Sequence, residues 1–217
     1  MNYDLFDNDT SGEYWTEGIC DGAVVLRQFA TSTAPELISV IDLITQQSPF
    51  RHMKTAGGYT MSAALSGCGS LGWISDHAGY RYSAIDPTTG LSWPEMPAVL
   101  FELAQKAAAE AGYDNFTPDA CLINRYKVGA KMSLHQDKDE QDFSAPIVSV
   151  SLGLPATFLF GGKQRSDKTI KVPLTHGDVV VWGGEVRTNF HGILPIKAGS
   201  HLLLGEERIN ITFRVAG

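Results

Sequence analysis

The chain has 217 residues, is 43% hydrophobic and 19% charged, and carries a formal net charge of −7. This length allows one large domain, or a core with an extension, and the composition is that of a globular protein. Cys20, Cys68 and Cys121 are odd in number and show no C-x-x-C spacing. They therefore exclude a disulfide framework and a structural zinc site, and they indicate a reducing compartment.

The beginning of the chain is unlike a secretion signal. The first twenty residues contain no Lys or Arg and five acidic residues: Asp4, Asp7, Asp9, Glu13 and Glu17. A signal peptide begins instead with basic residues followed by an apolar run. No apolar run in the chain approaches the length of a membrane span. We therefore expect a cytoplasmic protein without a membrane partner.

Two helices are predicted before residue 112. Residues 34–47 carry apolar side chains at helical spacing, with Thr33 as the predicted N-cap and Pro35 near the first turn. Residues 97–111 begin at a proline, are rich in alanine and precede Gly112. Between them, residues 50–93 are dense in Gly, Ser, Tyr and Trp. We interpret this stretch as short strands and loops that carry aromatic side chains over a substrate site.

From residue 119 onward the pattern changes to short apolar strands separated by turn residues. The predicted strands are residues 121–126, 147–152, 156–160, 179–182 and 209–215. Several short strands with Gly and Pro between them are typical of a sandwich or jelly roll. Helices first and strands afterwards place the chain in the α+β class.

A metal site is predicted from two separated motifs. His135-Gln136-Asp137 is followed far downstream by His191. Two histidines and one carboxylate form the facial triad that holds iron and leaves positions open for substrate and oxygen. His176-Gly177-Asp178 has the same His-x-Asp pattern, but it directly precedes a Val-rich run and fits a turn entering a strand.

The last predicted strand alternates in polarity. On a strand, alternate side chains point to the same side, so one face would carry Arg208, Asn210, Thr212 and Arg214. The other face would carry Ile209, Ile211 and Phe213, which indicates a buried strand rather than an edge strand with solvated charges. Buried guanidiniums need anions, and two of them suit a small dicarboxylate. Together with iron, this indicates 2-oxoglutarate.

Basic charge is concentrated around the predicted metal site. Residues 121–171 contain eight basic and five acidic groups, although the whole chain is acidic. Such a cluster can steer an anionic substrate such as a nucleic acid. It can also be a set of solvated surface lysines, so charge alone does not decide between these interpretations.

In these motifs the chain resembles the AlkB family of bacterial dioxygenases that repair alkylated DNA. The resemblance runs from about residue 23 to residue 217, and one position, Leu65, stands where a methionine is expected. Its best stretches are residues 48–51, 57–62, 71–73, 118–126, 133–140, 145–155, 176–185 and 210–214.

The resemblance implies a double-stranded β-helix (jelly-roll) core with N-terminal helices and a nucleotide-recognition lid. The implied domains are an N-terminal extension at 1–116, with the lid at about 50–93, and the dioxygenase core at 117–217. The implied Fe(II) ligands are His135, Asp137 and His191. The implied 2-oxoglutarate contacts are Asn124, Tyr126, Arg208, Asn210 and Arg214. The implied contacts to the base and its backbone are Trp73, Tyr80, Tyr82, Asp139 and Arg165, with weaker phosphate-side candidates at Thr55, Lys131, Ser133, Gln136 and Lys138.

The activity implied by the resemblance is oxidative demethylation of N-alkylated bases, such as 1-methyladenine and 3-methylcytosine, in DNA. It would consume 2-oxoglutarate and O2 and release formaldehyde, succinate and CO2. The expected partner is single-stranded DNA, or a duplex with the base flipped out, and the expected state is a monomer. Two alternatives stay open, a demethylase of methylated RNA or tRNA and a non-catalytic metal-binding reader of modified nucleic acid.

Overall fold

The computed structural model describes residues 14–217, so the acidic residues before Tyr14 lie outside the described part of the chain. The described part contains thirteen strands and two α-helices. In chain order they are β1 (Trp15–Cys20), β2 (Ala23–Arg27), α1 (Ala34–Gln47), β3 (Ala64–Gly69), β4 (Gly72–Asp76), β5 (Gly79–Ser83), α2 (Ala98–Glu110), β6 (Ala120–Lys127), β7 (Met132–His135), β8 (Ile147–Gly153), β9 (Ala156–Phe160), β10 (Ile170–Leu174), β11 (Val179–Trp182), β12 (His191–Ile193) and β13 (Glu207–Arg214).

The strands form two main antiparallel sheets and one hairpin. The large sheet has the order β1-β2-β11-β8-β13-β6-β3, and the small sheet has the order β10-β9-β12-β7. Strands β4 and β5 pair separately as a two-stranded hairpin. The predicted α+β class and double-stranded β-helix core are confirmed.

The two helices cover one face of the large sheet. Helix α1 has the predicted bounds and buries its apolar stripe, including Leu37 and Ile41, against the sheet. Thr33 occupies the N-cap position, but its side chain makes no capping hydrogen bond. Helix α2 begins directly after Pro97. The Ile209 side chain and the other apolar residues of β13 belong to the same core cluster as both helices.

A second apolar cluster fills the space between the two sheets. It takes Tyr126 and Trp182 from the large sheet and Phe158, Phe160 and Ile193 from the small sheet. The polar residues of β13 alternate with the helix-facing ones and therefore point toward this inter-sheet space. A cavity of about 700 Å³ lies there, lined by residues of both sheets and of the hairpin.

The segment predicted as an N-terminal extension is partly interleaved with the large sheet. Strand β2 pairs with β11, and β3 pairs with β6 along its whole length. The residues of β3 were predicted only as part of the stretch of short strands and loops at 50–93 that lies over the substrate site. Their sequence, ALSGCG, lacks the β-branched residues typical of strands. The boundary at residue 116 is therefore not a boundary between sheets, and it stays a prediction at the level of domains.

Within residues 14–217, no helix is both long enough and apolar enough to span a bilayer.

Candidate metal and cosubstrate site

Two histidines and one aspartate meet at the inner side of the small sheet. The ligand atoms of His135, Asp137 and His191 all lie within 4.8 Å of one another. They meet because β7 and β12 pair with His191 directly opposite His135, and Asp137 follows two residues later. Among the residues that the structure describes, this is the only group of three metal-binding side chains at such distances. Two imidazoles and one carboxylate on one face suit Fe(II).

Backbone carbonyls orient both imidazole rings. His135 Nδ1 lies 3.0 Å from the Ser133 carbonyl, and His191 Nδ1 lies 3.0 Å from the Asn189 carbonyl. Because a carbonyl can only accept a hydrogen bond, each Nδ1 carries the proton in the neutral ring. Each Nε2 lone pair is then free to bind a metal.

Opposing effects set the charge of Asp137 and His191. Burial raises the pKa of Asp137, but Arg214 and the two imidazoles lower it more strongly, so its net pKa lies below the usual range. Burial and the neighbouring His135 lower the pKa of His191 to about 4. The carboxylate is therefore ionised and His191 neutral at neutral pH, which are the protonation states that a metal ion requires.

This protonation pattern predicts how the stability of the metal-free protein depends on pH. An unfolded histidine titrates near 6.5, whereas His191 stays neutral to about 4 in the folded chain. The unfolded state therefore binds more protons over this interval, and the free energy of unfolding falls as pH falls from about 6.5 to about 4. The His191 contribution to that fall is about 3 kcal/mol. Urea unfolding at pH 7, 6, 5 and 4 measures it.

The control for the pH experiment is a histidine on the surface. A His191→Phe variant is expected to show a shallower fall in stability, while His77→Gln, at an exposed position, is expected to keep the wild-type slope. Equal slopes for wild type and His191→Phe would contradict the assignment.

The polar face of β13 carries a buried cation with free hydrogen-bond donors. Arg208 is 1% exposed, and its Nη2 donates to Ser151 Oγ at 2.9 Å. Its Nε and Nη1 find no hydrogen-bond partner among residues 14–217. Burial lowers the pKa of Arg208. A buried guanidinium with two free donors fits an anionic ligand, and a carboxylate matches its planar geometry.

The neighbouring strand adds further polar groups to the same cavity. Asn124 on β6 is buried, and its Oδ1 has no hydrogen-bond partner among the described residues. The Tyr126 ring lies 5.2 Å from the Arg208 guanidinium. On β13, the Asn210 amide is already occupied, because its Nδ2 donates to Ser149 Oγ and to the Val150 carbonyl. Arg208 and Asn124 are therefore the predicted cosubstrate contacts with open polar atoms.

Arg214 lies against the Asp137 carboxylate of the candidate metal site. Its Nη2 and Nε donate to Asp137 Oδ2 at 2.6 and 3.0 Å. Burial lowers the pKa of Arg214, but Asp137, Tyr82 and Glu140 raise it more strongly, so the net pKa lies above its ordinary value. Arg214 thus fixes one oxygen of Asp137 and keeps the carboxylate charged.

The hairpin β4–β5 brings aromatic side chains to the mouth of the cavity. Trp73 and Tyr80 stack with ring centroids 5.6 Å apart and planes 11° from parallel. The indole Nε1 of Trp73 donates to Asp139 Oδ2 at 2.8 Å. The Tyr82 hydroxyl donates to Glu140 Oε1 at 2.9 Å. The predicted substrate side chains are therefore linked by hydrogen bonds to the loop that carries Asp137.

The remaining predicted substrate residues all line the cavity: Thr55, Lys131, Ser133, Gln136, Lys138 and Arg165. They differ in availability. Gln136 Nε2 donates to the Thr188 carbonyl, and Arg165 Nη1 donates to the Leu134 carbonyl, so both amide and guanidinium have structural partners. The side chains of Lys131 and Lys138 are exposed and available to an anionic backbone.

Three features of the site had not been assigned to it from the sequence. Glu140 and Arg187 are buried and form an ion pair behind Asp137. Trp182 lies edge-on to His191, with ring centroids 5.0 Å apart, and Phe158 lies 6.0 Å from it. Glu140 could have been suspected from the sequence, because it follows Asp137 by three residues. The positions of Arg187, Trp182 and Phe158 in the site depend on how distant strands pack.

The second His-x-Asp motif takes no part in this site. The Asp178 side chain accepts hydrogen bonds from Arg27 Nη1 at 2.7 Å and from the Thr175 N–H at 2.8 Å. Gly177 has φ of +87°, a conformation that favours glycine. The motif forms the turn that enters β11, as predicted.

Comparison with known proteins agrees with this geometry. The model of the 2OG-Fe(II) oxygenase superfamily matches residues 22–214. The alpha-ketoglutarate-dependent dioxygenase AlkB of Escherichia coli is 58% identical, over 98% of this chain and 99% of that protein. The protein of the same name from Salmonella typhimurium is 55% identical, over 98% of this chain and 97% of that protein.

A solved structure shows the same architecture. The structure of OsALKBH1 superposes with a TM-score of 0.81 at 28% identity, and the match covers 92% of this chain and 99% of that one. The likeness therefore extends over most of both chains. The chain belongs to the AlkB family of 2OG-Fe(II) oxygenases, and it is an Fe(II)- and 2-oxoglutarate-dependent dioxygenase.

Proposed function

We propose that this enzyme removes alkyl groups from the nitrogen atoms of damaged bases, such as 1-methyladenine and 3-methylcytosine, in DNA. The observation that carries the proposal is one cavity that combines three elements. A metal triad lies on one wall, a buried guanidinium with free donors on the opposite wall, and a stacked Trp73–Tyr80 pair at the mouth.

His135, Asp137 and His191 would hold Fe(II), and Arg208 would receive the distal carboxylate of 2-oxoglutarate beside the Tyr126 ring, while Asn210 keeps its hydrogen bonds to Ser149 and Val150. When bound, iron and 2-oxoglutarate supply the oxidation: 2-oxoglutarate and O2 become succinate and CO2 as one oxygen atom enters an N-methyl C–H bond. The resulting N-hydroxymethyl base breaks its N–CH2OH bond and releases formaldehyde and the restored base.

The chain's own residues would position the substrate. Trp73 and Tyr80 offer aromatic surface for a base, and stacking on aromatic side chains tolerates different bases. The Asp139 carboxylate can accept from an exocyclic amine and attracts the positive charge of a methylated base. Lys131, Lys138 and Arg165 would contact the phosphate backbone.

The damaged base would have to leave the DNA double helix to reach the iron, because the candidate metal ligands lie at the inner side of a cavity between two sheets. Single-stranded DNA, or a duplex with the base flipped out, would therefore be the substrate. The monomeric state and the cytoplasmic location stay predictions.

The decisive test is mass spectrometry of a single-stranded DNA oligonucleotide with one 1-methyladenine, incubated aerobically with the protein and Fe(II). The methyl group is expected to disappear only when 2-oxoglutarate is added. Unchanged DNA with continued succinate formation would keep the oxygenase and refute the substrate. No succinate from protein that binds iron would favour the non-catalytic reader.

A matched RNA oligonucleotide with the same sequence and lesion addresses the alternative substrate. Faster demethylation of the RNA than of the DNA would favour the RNA or tRNA demethylase. The proposed DNA function predicts that the DNA rate is at least equal.

A further inference from the structure

Arg187 is a buried cation near the candidate metal site. Its side chain contacts the backbone of Asp137 but not the Asp137 carboxylate or either imidazole. It follows the 3₁₀ turn Gly184–Val186, between β11 and His191, and is 2% exposed. It does not line the cavity between the sheets. A charge in such a position needs polar partners, since burial removes the guanidinium from water.

The polar partners of the Arg187 side chain within residues 14–217 lie on one loop, the connection between β7 and β8 that carries Asp137. Nη1 donates to the carbonyl of Asp137 at 3.1 Å, and Nε donates to the carbonyl of Ala145 at 3.0 Å. Nη2 lies 3.5 Å from Glu140 Oε2. One guanidinium therefore ties the start, the middle and the end of this loop to the segment that leads to His191.

Glu140 extends the link to the side chain of Asp137 and to the hairpin. Its side chain is 1% exposed, and its Oε1 accepts from the Tyr82 hydroxyl at 2.9 Å and lies 3.3 Å from Arg214 Nε. Arg214 in turn donates to the Asp137 carboxylate. Asp137 is thus held at its backbone by Arg187 and at its side chain by Arg214, with Glu140 between the two cations.

We propose that Arg187 is a positioning residue for the metal site: through the Asp137 carbonyl and Glu140 it sets where the Asp137 carboxylate stands relative to His135 and His191. The inference rests on the proposed role of these three residues as metal ligands. Residues that orient metal ligands typically contribute about 10- to 100-fold to metal affinity.

Arginine is required at this position because three oxygen atoms are contacted in different directions. A guanidinium has five donors in a rigid fork, whereas the lysine ammonium is a single point on a flexible stem. An Arg187→Lys variant therefore keeps a positive charge beside Glu140 but cannot make all three contacts. Arg187→Met removes the charge as well.

The test is titration of the metal-free protein with Co(II), followed by calorimetry and by the visible absorption of the bound ion. Both Arg187 variants are expected to bind Co(II) at least about tenfold more weakly than wild type. Their Co(II) spectra are expected to change, because the spectrum reports the arrangement of the ligands.

The matched control is Arg27→Met. Arg27 is also a buried arginine, 8% exposed, and it donates to the Asp178 carboxylate and the Pro173 carbonyl, neither of which lines the cavity. This variant is expected to lower the thermal unfolding midpoint and to leave Co(II) affinity and spectrum unchanged. A purely structural role for Arg187 would give the same result in the Arg187 variants.

Wild-type affinity and spectrum in Arg187→Lys would overturn the inference, even if Arg187→Met failed to fold. Absence of Co(II) binding in the wild type would refute the metal site itself and the inference with it. The wild-type titration therefore separates failure of the proposed function from failure of the inference.

Discussion

Replacement of Asp137 by alanine is expected to abolish 2-oxoglutarate turnover and to destabilise the metal-free protein by about 3 kcal/mol. Turnover is lost because the two histidines alone cannot form a facial triad. Stability falls because Arg214, 6% exposed, loses the carboxylate that accepts two of its N–H groups. Removing one partner of a buried ion pair leaves an uncompensated charge.

Succinate formation and urea unfolding measure the two effects. Asp142 in the same loop provides the control, because it is exposed and its carboxylate accepts hydrogen bonds from the backbone N–H and the hydroxyl of Ser144. Asp142→Ala is expected to behave as wild type in both measurements. Residual turnover by Asp137→Ala above that of a metal-free blank would contradict the ligand assignment.

Replacement of Arg208 by methionine is expected to separate activity from stability. The KM for 2-oxoglutarate is expected to rise about 100-fold or more, because a buried charged partner of a carboxylate typically contributes about 3 kcal/mol. The metal-free protein is expected to become more stable, by about 1 kcal/mol or more. Two of the Arg208 nitrogens lack hydrogen-bond partners in the described structure, so the buried charge lowers the free energy of unfolding.

Steady-state kinetics at varied 2-oxoglutarate and urea unfolding without ligand measure these opposite changes. Arg125→Met is the control on the neighbouring strand: Arg125 is partly exposed and lies 3.9 Å from Glu207. It is expected to change neither quantity substantially. A large loss of stability in Arg208→Met, with unchanged KM, would show that Arg208 is a structural ion-pair partner instead.

The elements that the sequence predicted well are those whose signal is local. Helix α1 has the predicted bounds because an apolar stripe of period 3.6 starts beside a proline. Strands β9 and β11 also have the predicted bounds. Each is a short apolar run next to turn residues, and no competing helical pattern covers it.

The strands that were missed depend on neighbours. Strand β10 contains Pro173, which argues against a central strand, but β10 lies at the edge of the small sheet, where a proline is tolerated. Strand β12 has only three residues, His191–Ile193, too few for a pattern. Glycines in β3 also concealed a sheet edge: a Cβ on Gly69 would collide with the carbonyl oxygen of Asp119, so the close approach of the backbone explains that glycine.

The candidate site divides in the same way. The three candidate metal ligands were predicted because their residue types and order are specific to the chemistry, and the structure brings their ligand atoms together. Arg187 was not predicted, because nothing local distinguishes a buried arginine from an exposed one. Its partners, the carbonyls of Asp137 and Ala145, become neighbours only after the two sheets have packed.

The two halves of the candidate active site lie on different sheets: His135 on β7, Asp137 just after it and His191 on β12 belong to the small sheet, whereas Arg208 and Arg214 lie on β13 of the large sheet. A cosubstrate that touches both halves therefore joins the two layers of the sandwich across their interface. Ligand that binds only the folded state adds about 2.7 kcal/mol to its stability at 100 times the Kd. The resistance of the enzyme to unfolding and proteolysis would thus rise and fall with the concentration of 2-oxoglutarate. The lifetime of the protein would then depend on the concentration of its cosubstrate.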